Sequence, residues 1–444
     1  MPDAMTTSGA AGAPTEITFT LGSHIMLSHD HNLVPMDAAD TLGLGPSVKE
    51  VERWFLDLGY ERTVVGQSLQ GRDLVTFHRR FADASSTSIT TDSPPQPSSH
   101  HRTVLFQSLV HGNEPLGLLA LLHTASALSA GHSMHRMRSL LQSSEDIHSL
   151  DLVFFPVVNV DAYQLNLDAL ANKGAFGCRR TNMRAICSSI PEDDAGVCPF
   201  IPDQGIDINR NFPADFKSSD FEVECPLPTR ECCSAHPGDT PFSEPESQAI
   251  REAVNRFKPD AAISFHSQDF EKTSILLYPF ASPIDHTMND QDLKRFQTWG
   301  RAMEPRRGVY SVGDPFGALG YRASGTCLDW MYASKNVTVF VLESASPCGN
   351  RWCDEKKYGR RMRTTARMYA SSGVTLVDLV LGAPAQKHYW SGTAAMIVIA
   401  VGLGAWLSGG RCHLLLLRLI RSVQGRQDSS ATSGSKVVEM QRFV

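Results

Sequence analysis

The residues best suited to chemistry in this chain follow an apolar run. TVLFQSLV leads directly into His111, and Glu114 stands three residues later within HGNEP. An imidazole and a carboxylate at this spacing can reach one ion from a single turn. A catalytic zinc takes three protein ligands and keeps one position open, so a third ligand is required. His266, within ISFHS, follows another apolar run and is the natural candidate.

Four short apolar runs predict the strands that position these residues. They are TVLFQSLV, DLVFFPVV, AAISF and VTVFVL, and each fits a strand buried on both faces of an α/β sheet. His111, Asn159, His266 and Glu343 follow the four runs in that order. Ligands of open α/β sheets lie beyond the carboxyl ends of the strands. The pattern therefore predicts one converging site at a single edge of the sheet.

Helical patterns alternate with these runs. PLGLLALLHTASAL follows Glu114, and PESQAIREAVNRF is predicted to be capped by Ser243 with Glu246 three residues later. Upstream, Ser47 is predicted to cap a helix over VKEVERWFLDLGY. TVVGQSLQGRDLVTFHRR indicates two strands around a turn at Gly71.

Eight ordered motifs resemble those of the zinc carboxypeptidases of the A/B and N/E types. They are GQSLQGRDL, HGNEP, NVDAY, GIDINRNFP, GDTPFSEPES, ISFHS, YRASGTCLDWMY and VFVLES. The resemblance implies a single α/β domain with a mixed, largely parallel twisted central sheet flanked by helices. It also implies a zinc-dependent peptide hydrolase that removes single residues from the C-termini of peptides or proteins.

The family's catalytic roles carry over to the matching positions. His111, Glu114 and His266 match the ligands of one zinc ion. Glu343 matches the general base that takes a proton from zinc-bound water and later delivers one to the leaving amine. Asp207 matches the acid that orients the first histidine through a hydrogen bond.

Substrate-binding roles are implied in the same way. Asn209 and Arg210 match the clamp for the terminal carboxylate, whose geometry suits the planar fork of an arginine. Tyr321 matches the tyrosine that closes over that end of the substrate. Leu328 falls at the base of the side-chain pocket and predicts a weak preference for apolar side chains.

One catalytic arginine is ambiguous. The arginine that stabilises the oxyanion normally lies in a run for which this chain has CRRTNMR. Arg184 is the predicted residue and Arg180 is the alternative.

The chain has a net charge of −6 and no Lys/Arg stripe interleaved with aromatic residues, which excludes the usual features of a nucleic-acid binder. We expect an irregular N-terminal segment, a catalytic domain, a transmembrane helix and a basic C-terminal tail. Their predicted bounds are 1–45, 46–378, 391–410 and 411–444, with a low-complexity insertion at 82–101 and a Cys-rich insertion at 187–233 within the domain.

Residues 391–410 carry no charge over 20 positions, a length that can span a bilayer, and arginines follow them. Nine of the ten cysteines lie between Cys178 and Cys353, which favours disulfides in an oxidising compartment. The N-terminus has no clear signal peptide. We nevertheless expect a single-pass membrane protein whose catalytic domain is extracellular or lumenal.

Two other functions remain open. One is a deacylase or amidase on the same fold, acting on small N-acyl amino acids or cell-wall peptides. The other is a catalytically silent, membrane-tethered ectodomain. Asn209, Arg210 and Tyr321 favour the peptidase, and the intact ligand set with Glu343 argues against a silent protein.

Overall fold

An eight-stranded mixed β-sheet with helices on both faces positions the candidate site. The computed structural model describes residues 38–43, 45–82, 101–144, 146–173, 176–186, 205–217, 233–268, 273–282, 287–305, 309–320, 322–347 and 355–383. All of these belong to one unit, Met1–Lys387.

The described strands, in chain order, are β1 (Glu61–Gln67), β2 (Asp73–Ala82), β3 (His101–Ser108), β4 (Ser149–Phe155), β5 (Ala261–Gln268), β6 (Ser274–Leu277), β7 (Tyr310–Gly313) and β8 (Thr338–Ala345). Their order across the sheet is β1-β2-β4-β3-β5-β8-β6-β7. The central strands β4, β3, β5 and β8 are parallel, while β2 and β6 run antiparallel to their neighbours β4 and β8.

The described helices are α1 (Val48–Asp57), α2 (Pro115–Ser129), α3 (Gly131–Ser143), α4 (Val160–Lys173), α5 (Pro245–Phe257), α6 (Asp290–Met303), α7 (Pro315–Leu319), α8 (Cys327–Lys335) and α9 (Glu355–Val380). Two short 3-10 turns, Ala38–Leu42 and Ile208–Arg210, complete this part of the chain.

The four apolar runs form the four parallel strands of the sheet centre, as predicted. Every residue of β5 is buried, because strands lie on both of its sides and helices cover both faces. The expected hairpin also forms: β1 and β2 pair antiparallel across a turn in which Gly71 has a positive φ. The α/β architecture with a mixed sheet is therefore confirmed.

The two faces of the sheet carry different helices. On one face, the ring of Phe106 lies next to Gly373 in α9. The neighbouring Gln107 contacts Cys327 at the start of α8. Because consecutive strand residues point to opposite faces, α8 and α9 cover opposite faces of the sheet. The helix α2, buried along its whole length, packs against α9 as well as against β3 and β5.

Helix starts show where local patterns succeed and fail. Ser47 is the N-cap of α1, as predicted, and it forms a capping box with Glu50. The predicted cap of α5 is wrong, because its N-cap is Glu244 and no side chain caps it. The hydroxyl of Ser243 donates instead to the Glu244 carboxylate.

Several predicted segments lie partly or wholly outside the described residues. These are residues 1–37 of the N-terminal segment, 83–100 and most of 187–233, and the transmembrane and tail segments 391–410 and 411–444. Ala82 and His101, the predicted bounds of the first insertion, belong to β2 and β3. In the part of the chain that is described, no helix combines the length and apolarity needed to cross a bilayer.

Candidate metal centre

The turn after β3 brings His111 and Glu114 together. Gly112 lies so close to its surroundings that a Cβ atom there would be 2.5 Å from the Ala162 Cβ and 2.9 Å from the Arg179 carbonyl oxygen. Only glycine lets the turn approach α4 in this way. The Gly112 amide donates to the Arg180 carbonyl at 3.0 Å, and Glu114 then begins α2 as its N-cap residue.

Three buried side chains converge at this turn. His111, Glu114 and His266 each offer a ligand atom, and these atoms all lie within 4.8 Å of one another. His111 Nδ1 is 2.6 Å from Glu114 Oε1, and His266 Nδ1 is 2.9 Å from Glu114 Oε2. The two Nδ1 atoms are 3.2 Å apart. A tetrahedral ion with ligand distances of about 2.0–2.2 Å would separate its ligand atoms by about 3.4 Å, so the arrangement is close to that of a metal site.

The hydrogen bond of His111 to Asp207 makes this convergence chemically informative. His111 Nε2 donates to Asp207 Oδ1 at 3.1 Å, which leaves the lone pair on Nδ1. That lone pair faces the Nδ1 of His266 and the carboxylate of Glu114. Electron-rich atoms gathered in this way favour a cation between them, and two nitrogens with one carboxylate suit zinc. The residues present therefore fit a zinc ion.

Arg180 closes the cluster on one side. Its NH1 donates to Glu114 Oε1 at 3.2 Å and its NH2 to Asp207 Oδ2 at 2.9 Å. Burial opposes ionisation of Glu114, but His111 and His266 hold its pKa below the ordinary value. Burial likewise opposes ionisation of Asp207, and Arg180 with His111 holds that pKa well below its usual range. Both acids are thus anions at neutral pH.

Glu343 lies beside the ligands on the next strand. In the parallel pairing of β5 with β8, Glu343 is directly opposite His266. Facing residues of neighbouring strands share one face, so the carboxylate and the imidazole lie on the same side of the sheet. Burial raises the pKa of Glu343 above its ordinary value, Glu114 adds to that increase, and His266 opposes it. An acid whose pKa is raised in this way holds a proton more readily than an exposed carboxylate, as a group that both takes and returns a proton requires.

The predicted carboxylate clamp is held next to the cluster. Asp207 caps the turn Ile208–Arg210 by accepting from the Asn209 amide at 2.8 Å. The Asn209 side-chain oxygen accepts from the Cys327 amide at 3.1 Å, which fixes its direction. Gly325 packs directly against the backbone of Arg210. It has a positive φ, and a Cβ atom there would be 2.1 Å from the Arg210 carbonyl oxygen, so only glycine fits this position.

The structure separates the two candidate arginines. The Arg184 guanidinium donates to both carboxylate oxygens of Glu244, at 2.8 and 2.7 Å, and has no contact with the ligand set. The structure therefore does not bring Arg184 to the predicted metal ligands, whereas stabilising the oxyanion requires a position beside them. Arg180, the alternative, is the arginine of the CRRTNMR run that contacts the ligand Glu114.

Other predicted site residues have different outcomes. Leu328 is buried on α8 and belongs to the hydrophobic core cluster. Tyr321 lies outside the described residues. Residues 205–217, which fall within the predicted Cys-rich insertion, contain Asp207 and Arg210 and enter the site.

Sequence analysis did not assign Gln107 or Cys327 to the site region. Gln107 lies within β3, four residues before His111, and Cys327 sits inside a motif already noted. Nothing in the sequence indicated that they are neighbours, because Gln107 and Cys327 are 220 residues apart and meet only in the folded chain.

The fold and site define a class before any comparison: an α/β domain with a mixed central sheet and a buried two-histidine, one-carboxylate cluster that fits a metal ion. The family model described as zinc carboxypeptidase matches residues 60–359. The chain therefore belongs to the zinc carboxypeptidase family, whose members use a zinc ion.

Two curated relatives illustrate the likeness. A zinc carboxypeptidase of Simulium vittatum is 25% identical over 247 residues, which are 53% of this chain and 71% of that protein. Zinc carboxypeptidase A 1 of Anopheles gambiae is 29% identical over 153 residues, which are 33% of this chain and 33% of that protein. The matched stretch thus spans only about a third of the length of the mosquito relative.

Solved structures share the fold. Carboxypeptidase A from Helicoverpa armigera aligns with a TM-score of 0.50 and 20% identity, over 76% of this chain and 73% of that chain. Thrombin-activatable fibrinolysis inhibitor aligns with a TM-score of 0.53 and 18% identity, over 77% of each chain. At these identities the likeness concerns the fold alone.

Cysteine chemistry differs between positions. Cys178 and Cys233 are each disulfide-bonded, whereas Cys327 is a buried free thiol. The other seven cysteines lie outside the described residues.

Proposed function

We propose that this protein is a zinc-dependent metallocarboxypeptidase that removes single C-terminal residues from peptides. The observation that carries the proposal is the buried set of His111, Glu114 and His266 with Glu343 directly opposite His266 across β5 and β8. Zinc at this position would lower the pKa of a water molecule toward neutrality and polarise the scissile carbonyl.

The chain's own residues supply the remaining chemistry. Glu343 takes a proton from the attacking water and passes a proton to the nitrogen of the leaving amino acid. Arg180, already anchored by Glu114 and Asp207, provides positive charge beside the carbonyl oxygen that becomes an oxyanion. Asp207 holds His111 in the tautomer whose Nδ1 can bind the metal.

Cleavage at the chain end follows from the clamp. Asn209 and Arg210 lie next to the cluster, and Arg210 is 7% exposed. The planar fork of an arginine pairs with a carboxylate in two parallel hydrogen bonds, and a chain end brings a carboxylate to this position whereas an internal peptide bond does not. The clamp therefore supports an exopeptidase over the amidase or deacylase alternative, and the complete ligand set with Glu343 supports an enzyme over a silent ectodomain. Closure by Tyr321 remains part of this proposal.

Hydrolysis of N-blocked dipeptides with varied C-terminal residues tests the proposal. We expect zinc-loaded protein to release the free C-terminal amino acid, and we expect loss of that activity on chelation and in Glu343→Gln. Matched C-terminally amidated dipeptides serve as the control. Turnover that survives both chelation and the substitution would refute the proposal, and equal cleavage of amidated substrates would favour the amidase alternative.

We also propose a membrane tether at residues 391–410, with the catalytic domain on the extracellular or lumenal side. The uncharged run with arginines after it supports the tether, and the disulfide-bonded Cys178 and Cys233 support the compartment. Extraction by alkaline carbonate would show that the protein is not integral. Digestion of the domain by protease added to sealed microsomes would place it on the opposite side.

A further inference from the structure

A second cluster of polar side chains lies beneath the metal centre. Gln107 on β3 donates from Nε2 to Ser264 Oγ on β5 at 3.1 Å and to Cys327 Sγ at the start of α8 at 3.7 Å. Gln107 is 2% exposed, Ser264 3% and Cys327 4%. We call these three residues the polar floor.

The polar floor lies on the same face of the sheet as the catalytic groups. Ser264 precedes His266 by two positions on β5, so their side chains share a face. Cys327 also contacts the clamp, because its amide donates to Asn209 Oδ1. The floor is therefore connected to the metal centre through β5 and to the carboxylate clamp through Asn209.

This position matches the path of a substrate side chain. The C-terminal residue of a peptide would have its carboxylate at the clamp and its scissile carbonyl at the metal. Its α-carbon lies between these two points, and its side chain projects from there. The polar floor is linked to both points, because Ser264 shares β5 with the ligand His266 and Cys327 contacts Asn209 of the clamp.

The floor is uncharged. Burial raises the pKa of the Cys327 thiol to about 12, so it stays neutral at physiological pH. The nearest acid in sequence, Asp329, is directed elsewhere, since its carboxylate accepts from the backbone amides of Ala281 and Ser282. Neither an ammonium nor a carboxylate on the substrate would find an opposite charge among these described residues.

The amide of Gln107 has one unmet hydrogen bond. Its Nε2 has two partners, but its buried Oε1 has no hydrogen-bond partner among the described residues. A buried acceptor in this state is costly, and a ligand that donates to it recovers that cost. Turning the amide over would leave an NH2 group without a partner instead. A substrate carboxamide offers both a donor and an acceptor, and so satisfies the Gln107 amide in either orientation.

We infer that the polar floor selects peptides whose C-terminal residue carries a carboxamide, glutamine above all, with Gln107 as the specificity-determining residue. The inference rests on the proposed carboxypeptidase function. The amide of a glutamine side chain pairs with the Gln107 amide, and its uncharged methylene stem suits the uncharged surroundings of the floor. This replaces the weak apolar preference predicted from Leu328 alone.

Isosteric substrates test the inference. N-blocked dipeptides ending in Gln, Asn, Met, Leu, Glu and Lys are compared by kcat/KM with the zinc-loaded protein. We expect Gln to exceed Met by about tenfold or more, because a site built around a hydrogen bond rejects an isostere that lacks it. In Gln107→Leu the Gln/Met ratio should fall to about one or below while Met cleavage persists. Gln67→Leu, a glutamine change on β1 at the sheet edge, should leave the ratio unchanged.

Binding provides a readout independent of turnover. Calorimetry with Glu343→Gln should show tighter binding of a Gln-ended peptide than of its Met-ended isostere, and Gln107→Leu in that background should remove the difference. Cleavage or binding without a Gln/Met difference overturns the inference while leaving the carboxypeptidase function intact. A ratio that survives Gln107→Leu assigns Gln107 a packing role only and also overturns the inference. Absence of cleavage for all six substrates defeats the proposed function, and the binding comparison still decides the inference.

Discussion

Two carboxylates and one guanidinium lie next to the candidate zinc-binding imidazoles and stabilise one another's charges. Asp207 and Glu114 share the guanidinium of Arg180, and Asp207 also holds the Nε2–H of His111. The pairings keep both acids ionised in a buried place where an isolated charge would be costly. Each of the three groups therefore depends on the other two, and single substitutions should reveal that dependence.

Replacement of Asp207 by Asn should weaken zinc binding. Asn can still accept a hydrogen bond from His111 Nε2. It lacks, however, the negative charge that raises the basicity of that imidazole. We expect a loss of about 10–100-fold in zinc affinity, measured by competition with a chromogenic chelator. Asp73→Asn, on the hairpin strand β2, is the control and should bind zinc like the unmodified protein. An unchanged affinity in the Asp207 variant would contradict the assigned role of Asp207.

The two arginines should give opposite phenotypes. Arg180→Met should lower kcat by about 10²–10³-fold at saturating zinc, because it removes a charge beside the developing oxyanion. Arg184→Met should leave kcat within a few-fold but lower the free energy of unfolding by about 1–3 kcal/mol, because Glu244 loses its ion-pair partner. Steady-state kinetics and urea denaturation of both variants separate these effects. A reversal of the two phenotypes would restore Arg184 as the catalytic arginine.

Among the connections between helices and strands, the turn between β3 and α2 is tightly packed at Gly112. In Gly112→Ala the new methyl would overlap the Ala162 side chain and the Arg179 carbonyl. We expect a loss of about 1–3 kcal/mol in unfolding free energy together with weaker zinc binding, because the overlap displaces His111. Thermal melts with and without zinc measure both effects.

Gly313→Ala is the matched control for that change. Its added methyl would lie 3.6 Å from the Ala318 Cβ, an ordinary contact at the end of β7. We expect little change in either the melting temperature or the zinc-induced shift. If the two variants behave alike, steric overlap at Gly112 is not what positions the ligands.

Local sequence patterns predicted the helices and strands. The residue that caps a helix, however, depended in one case on tertiary contacts. The apolar runs gave the parallel strands, since runs of that length and composition fit few other environments. Ser47 caps its helix because the Ser47–Glu50 capping box is purely local. The same pattern failed at Ser243, because Glu246 turns inward and accepts a hydrogen bond from Asn182, a residue 64 positions away.

The metal ligands were predictable because each lies at or shortly after the carboxyl end of a strand and within a recognisable motif. The choice between Arg180 and Arg184 was not predictable, since both lie in one short run. Only the folded chain reveals that Arg184 forms an ion pair with Glu244. The polar floor was hidden for a similar reason. Gln107 looks like any polar residue near a strand end until β5 and α8 are placed around it.

Across the domain, buried acids such as Glu246 should link stability to pH. Glu246 is fully buried, and burial raises its pKa to about 7 from an ordinary value of 4.5. Between these pH values the folded chain keeps a proton that the unfolded chain has lost. Unfolding then releases a proton, so stability falls as the pH rises from about 4.5 to about 7. The full effect is on the order of 3 kcal/mol, at about 1.36 kcal/mol per pKa unit.

Glu246→Gln should remove this loss. Glutamine resembles the protonated acid and can still accept from Asn182. We expect the variant to match the unmodified protein near pH 4.5 and to exceed it in stability at pH 8, as measured by urea denaturation across that range. Equal pH profiles for the two proteins would show that Glu246 is not the group responsible.

The order of the central strands also governs when zinc can first be captured. β3 and β5 are neighbours in the sheet, yet His111 and His266 are 155 residues apart in the chain. A nascent polypeptide on the ribosome has no three-ligand site until β5 has emerged and paired with β3. Metal loading should therefore follow synthesis of most of the domain, and chains truncated before residue 266 should leave the ribosome without the ion.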